Sequence, residues 1–218
     1  MKFIPWKKKF LNSGLLYVIL DETVIKEADR DIFSLADKLS FYGVDILQLR
    51  AKNIDGKNLL QLARNLAIII HRRRKLFIVN DMVDIAYLAN ADGLHVGGND
   101  LPVKEARKIL GKKRIIGKTV HSQVELESFQ KEEVDYLSIG PVFNTEIKPS
   151  LAPLGEEKLK NILSKAKKLT FAIGGINLNN INILAAVGIK NIAFCRAALT
   201  KNLKNTIGEF RQCLKKAS

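Results

Sequence analysis

Gln48, Arg50 and Lys52 occupy alternate positions in the stretch QLRAK, directly after the apolar VDIL. In an extended strand such positions share one face. Two cations and an amide on one face make a clamp for an anion, since all three offer N–H donors. Asn80 and Asp81 close another apolar run, LFIVND, and Asp100 follows a third in HVGGND. Neighbouring strands lie about 4.8 Å apart. Carboxylates on adjacent strand ends can therefore share a hard divalent cation, and Mg2+ characteristically takes one or two carboxylates plus substrate phosphates. Each carboxylate also has a plainer reading, Asp81 as a helix N-cap and Asp100 as a turn or cap residue.

Further groups close later runs. GKTVHS offers Thr119 as a donor to a phosphate oxygen and His121 as an acid–base group. The run into GPVFNTEIKPSLAPLG leaves a long Pro-rich loop of the kind that forms lids or binding loops, carrying Thr145 and Lys148. Gly174-Gly175 ends another run, where glycine lets a ligand approach the backbone closely. Cys195-Arg196 ends the last; Cys195 reads as a small core residue, with no His partner nearby in sequence. His95 reads as a satisfied strand histidine, and His71, at a basic helix end, has no assigned role. GKKRIIGKT imitates a phosphate-binding P-loop. Five residues separate its glycines instead of four, and it leads into a strand rather than out of one.

These residues need a scaffold that brings strand ends together. Eight apolar runs recur: 15–21, 44–50, 76–81, 93–97, 114–120, 136–142, 169–175 and 191–199. Between them lie stretches of helical period such as DIFSLADKLSFYG and KNLLQLARNLAIIIHRR, several ending in Gly or in Lys/Arg. Strand–helix alternation implies parallel pairing with right-handed crossovers. Eight such units predict an α/β fold, a single (β/α)8 TIM barrel over 1–218, with 1–13 as a basic N-terminal extension. An open doubly wound sheet is the rival, but no G-x-G-x-x-G follows the first strand. In a barrel the C-terminal strand ends share one mouth. The residues then group into two anion sites, a metal-assisted one at the second to fourth strands and a glycine cup at the seventh and eighth.

Composition narrows the setting. The chain has 218 residues, 47% of them hydrophobic, with 2 Cys, which fits a reduced cytoplasmic protein rather than a disulfide framework. No apolar run reaches the roughly 18 residues of a membrane span. The basic start, MKFIPWKKKF, lacks the apolar core of a signal peptide. Net charge is +14, yet the clusters at 72–75, 112–114 and 165–168 fall at helix ends, where cations complement the dipole, and no aromatic interleaving makes a nucleic-acid platform.

The stretches QLRAK, VNDMVDIAYLANADGLHVGGNDLP, GPVFNTEIKPSLAPLG and AIGGI resemble the thiamine-phosphate synthase family over nearly the whole chain, from LYVILD to AFCRAAL. The resemblance implies that Gln48, Arg50, Lys52, Asn80, Thr119 and Lys148 hold a pyrimidine diphosphate, with Arg50, Lys52, Lys148 and Thr119 as the catalytic groups. It implies Mg2+ on Asp81 and Asp100. It implies Thr145, Glu146, Ile147, Gly175, Cys195 and Arg196 around a thiazole phosphate. The implied partners are these small phosphorylated substrates, with no nucleic acid and no membrane; self-association into a homo-oligomer stays open. Three positions depart from the family's usual pattern: Thr145-Glu146-Ile147-Lys148 where T-x-T-K is typical, Gly98-Asn99 ahead of Asp100, and Arg196 where a small residue is common. GKTVHS also resembles related thiazole tautomerases that use a His at the position of His121. Those relatives tend to lose the metal aspartates that this chain keeps.

Overall fold

The computed structural model describes residues 14–147 and 149–216, without the side chain of Lys216. The basic extension 1–13 and Lys148 lie outside the described residues. Eight strands form a closed, all-parallel barrel in sequence order. They are β1 (Leu16–Asp21), β2 (Ile46–Arg50), β3 (Leu76–Asn80), β4 (Gly93–Val96), β5 (Ile115–Val120), β6 (Tyr136–Ile139), β7 (Leu169–Ile173) and β8 (Ile192–Phe194). The helices are α1 (Glu22–Glu27), α2 (Ile32–Phe41), α3 (Gly56–Arg72), α4 (Val83–Leu88), α5 (Val103–Leu110), α6 (Gln123–Phe129), α7 (Gly155–Lys165), α8 (Ile181–Ala186) and α9 (Leu203–Lys216). A 3-10 turn spans Arg196–Leu199. Register between β1 and β8, Leu16 opposite Ile192, closes the ring.

All eight apolar runs become strands, trimmed at their ends. Both faces of each strand are covered, which is why the runs read as continuous rather than alternating. Period two then divides the core into two layers. Leu47, Leu49, Phe77, Val79, Leu94 and Val96 pack outward beneath the helices. Tyr17, Ile46, Ile78, Ile115, Tyr136 and Phe171 fill the barrel interior. β5 shows the alternation in one strand: Lys118 points outward to Glu132 at 2.8 Å and lies 3.7 Å from the Phe129 ring centroid. Gly117 faces inward, where an added Cβ would strike the Tyr136 ring. The false P-loop is accounted for: Gly111 ends α5, and the next segment is β5.

The end opposite the mouth is fastened by polar contacts. Arg211 donates to the Gly14 and Gly43 carbonyls and to Asp45, and His71 pairs with Asp92 at 2.8 Å. At the basic end of α3, Arg73 forks onto Asp37 at 2.9 Å. Among the described residues no helix is long and apolar enough to cross a membrane.

Candidate active site

The C-terminal mouth of the barrel opens into a cavity of about 290 Å3. From the strands it is lined by Gln48 and Arg50 of β2, Asn80 of β3, His95 of β4 and Thr119 of β5. Facing these are Thr145, Glu146 and Ile147 of the β6 loop, Gly175 beyond β7, and Cys195 and Arg196 beyond β8. The alternation read in QLRAK holds for Gln48, which is buried, and for Arg50, which reaches the mouth. Lys52 lies past the strand end and is half-exposed, outside the cavity lining.

Both cations of the clamp are already held by carboxylates. Arg50 pairs with Asp21. The β1–β2 register sets Asp21 directly opposite Arg50, so the pair follows from strand alignment. Asp21 is 2% exposed, and its second oxygen accepts from Val24 N–H to cap α1. Sequence reasoning missed Asp21; its signal was the lone charge closing LLYVILD. Lys52 pairs with Asp81.

Asp81 and Asp100 come together. Each carboxyl perturbs the titration of the other. Burial, with Asp100 alongside, pushes the Asp81 carboxyl above its ordinary value. Asp100 is held below its own: burial opposes this, and hydrogen bonds from the Asp81 carboxyl and the Gly97 N–H outweigh it. Opposite shifts are what two adjacent acids impose on each other. The N-cap reading of Asp81 fails. Met82 caps α4 and no side chain bonds to that helix end, while Asp81 itself sits at φ 63°, in the left-handed region. Backbone held there is costly for a non-glycine residue and concentrates at functional sites. The turn reading of Asp100 is met in part, since it accepts from Gly97 N–H at 2.6 Å.

On the opposite side, Gly174 and Gly175 have φ values of 99° and 68°. A Cβ on Gly174 would strike Pro141, and one on Gly175 would strike Phe143 and the Asn144 carbonyl. The glycines thus seat the β6 loop against the end of β7 as well as opening the mouth. Arg196 reaches across to Glu146 at 3.1 Å, both side chains largely exposed. Cys195 is buried, and its thiol is pushed up to about 12 by burial and by nearby Asp21, so it is no nucleophile at neutral pH. His121 lines the cavity and donates from Nδ1 to the Gly140 carbonyl.

A sequence model of the family described as "Thiamine monophosphate synthase" matches residues 16–198. The chain belongs to this family. Similar relatives include the thiamine-phosphate synthase of Prochlorococcus marinus (strain AS9601), 37% identical over 195 residues, which cover 88% of this chain and 54% of that protein. The thiamine-phosphate synthase of Fusobacterium nucleatum subsp. nucleatum is 35% identical over 204 residues, 89% of this chain and 98% of that protein. The chain thus spans about half the length of the first relative and nearly all of the second. Among solved structures, thiamine phosphate pyrophosphorylase from Pyrococcus furiosus superposes with a TM-score of 0.83 at 28% identity, covering 94% of this chain and 96% of that one. These relatives do not favour the tautomerase-like alternative built on His121. Arg50 is paired with Asp21, Lys52 with Asp81, and Arg196 with Glu146. No group of three or more His, Cys, Asp and Glu forms an all-protein metal cage among the described residues.

Proposed function

We propose that the chain is a thiamine-phosphate synthase. It condenses 4-amino-2-methyl-5-(diphosphomethyl)pyrimidine with hydroxyethylthiazole phosphate, giving thiamine phosphate and diphosphate. The observation that carries the reading is the mutually perturbed acid pair Asp81–Asp100, held with Lys52 past the ends of β3 and β4, next to the cavity mouth that Arg50, Gly174 and Gly175 line, in a chain of this family. Gln48, Asn80, Arg50, Lys52 and Thr119 take the pyrimidine diphosphate, joined by Lys148, which lies outside the described residues. Thr145, Glu146, Ile147, Gly175, Cys195 and Arg196 surround the thiazole phosphate.

The chemistry asks for charge stabilisation more than for a base. The carbon–oxygen bond between the pyrimidine methylene and diphosphate breaks, and both electrons leave on the diphosphate. The thiazole nitrogen lone pair then forms the new carbon–nitrogen bond. Arg50, Lys52 and Thr119 meet the charge that grows on the leaving group. The walls of the cavity hold the second substrate in line with the methylene carbon.

Asp81 and Asp100 fit Mg2+. They are two hard oxygen donors close enough to perturb each other, and among the described residues no third acidic group joins them in a closed cage. Bound there, Mg2+ supplies Lewis-acid neutralisation of the diphosphate oxygens. The two free cysteines suit a reducing, cytoplasmic setting.

A coupling assay with both purified substrates tests this reading. Thiamine phosphate and diphosphate should appear together, and only with both substrates and Mg2+ present. No product under those conditions overturns the synthase reading, and full turnover in chelator overturns the metal assignment.

A further inference from the structure

A second cavity, of about 350 Å3, lies between α2 and α9 on the flank of the barrel. One wall is the loop 29–31 with the following face of α2. The other is the end of the 3-10 turn Arg196–Leu199 with the start of α9. Ser34, Lys38 and Tyr42 recur every four residues, which sets them along the one side of α2 that borders the cleft. The two cavities share no lining residue.

The cleft has an apolar side and a cationic side. Leu35, Ala198 and Leu203 line it and are buried. Arg30, Lys38, Lys201 and Lys204 line it and are exposed. Among the described residues none of these four side chains is held by a carboxylate or by any other partner. The cations at the first cavity differ, since Arg50, Lys52 and Arg196 each have an acid. Two acids also line the cleft. Asp31 is committed to the Ser34 N–H at 2.7 Å, where it caps α2. Asp29 sits in the loop at φ 51°. Four cations against two acids leave a surplus of two positive charges. Like charges gathered round one cleft repel, and an anion relieves that repulsion. A phosphate monoester, at about −1.5 to −2 near neutral pH, matches the surplus. Ser34 and Thr200 add hydroxyl donors.

We propose that this cleft is a second ligand site, for a small phosphorylated molecule with an apolar body. Its phosphate meets Arg30, Lys38, Lys201 and Lys204, and its body lies on Leu35 and Leu203. The volume falls at the small end of ligand pockets, roughly 300–1,000 Å3, which suits one small molecule and not a polymer. The 3-10 turn is a partition between the cavities. Arg196 and Ala197 line the first, and Ala198 and Leu199 line the second. An occupant of the cleft therefore sits against the segment that carries Arg196. The site stands on its own residues, whatever reaction the first cavity performs.

Amide NMR of the full chain, titrated with phenyl phosphate, tests the site residue by residue. The amides of Ser34, Lys38, Asn202 and Lys204 should shift together and saturate. Phenol, which lacks the phosphate, should leave them unmoved, and inorganic phosphate, which leaves the apolar side uncovered, should bind more weakly. Lys38→Gln combined with Lys204→Gln keeps two exposed side chains of similar length and removes two charges. That variant should weaken binding at the cleft roughly three- to thirtyfold. Shifts at Gly175, in the first cavity, should be the same in both chains. Shifts confined to Gly175 and its neighbours overturn the proposal, as does an unchanged cleft affinity in the double variant. Phenol acting as strongly as phenyl phosphate overturns the phosphate assignment, and inorganic phosphate binding as tightly overturns the apolar half.

Discussion

Asp21 performs two jobs with one carboxylate, and Asp21→Asn separates them. One oxygen accepts from Val24 N–H at 3.2 Å and caps α1. The other pairs with Arg50. Asn caps a helix as well as Asp does, so the substitution keeps the cap and removes the charge. The Asp21 side chain is 3% exposed and that of Arg50 is 24% exposed. Removing one partner of a fully buried pair costs about 3–5 kcal/mol. Arg50 can turn to water at the cavity mouth, which lowers the expected cost to roughly 1–2 kcal/mol. For a chain near this size each 1 kcal/mol moves Tm by about 2–4 °C, so a fall of roughly 2–8 °C is expected in thermal unfolding. Asp21→Ala should cost about 1 kcal/mol more, the worth of the cap. Mg2+ with inorganic diphosphate should stabilise Asp21→Asn more than the wild type, because the ligand meets an Arg50 freed of its acid. An unchanged Tm in Asp21→Asn, or equal losses in the Asn and Ala variants, would refute the division of labour.

Three further outcomes follow from the same geometry. Gly117→Ala drives a methyl into the Tyr136 ring, and overpacking of this kind costs about 1–3 kcal/mol, measurable by urea unfolding. The Cys195 thiol, with its pKa near 12, should resist alkylation at neutral pH while the partly exposed Cys213 reacts, which peptide mass mapping would decide. Arg196→Ser breaks an exposed pair with Glu146 worth less than about 1 kcal/mol, so stability should barely change while KM for the thiazole phosphate rises.

The eight strands were legible because each is buried on both faces and punctuated by turn residues. The mouth residues were legible for a related reason: polar groups closing an apolar run have only the strand end to occupy. Gln48, Asn80 and Thr119 all reach the cavity that way. Partnership across strands was not legible. Arg50 meets Asp21 because β1 and β2 align in a particular register, which neither strand states by itself. The hydrogen bonds from Tyr17 to Tyr136 and from Tyr136 to His95 inside the barrel were hidden for the same reason. Tyr17, His95 and Tyr136 come from β1, β4 and β6, and nothing local to any of them tells which face turns inward. The clamp of positive groups was legible as residues but not as a charge balance, because the acids that neutralise Arg50 and Lys52 arrive from neighbouring strand ends.

The acid pair at the mouth carries the whole account, and calorimetric titration of inorganic diphosphate tests it most directly. Wild type should bind diphosphate well with Mg2+ and poorly in chelator. Asp81→Asn should invert the pattern, losing most of the Mg2+ effect while binding metal-free diphosphate better than wild type, since one opposing charge is gone. Diphosphate affinity that ignores Mg2+ in the wild type, or falls equally with and without Mg2+ in Asp81→Asn, would contradict the claim that Asp81 and Asp100 seat a cation for the leaving group.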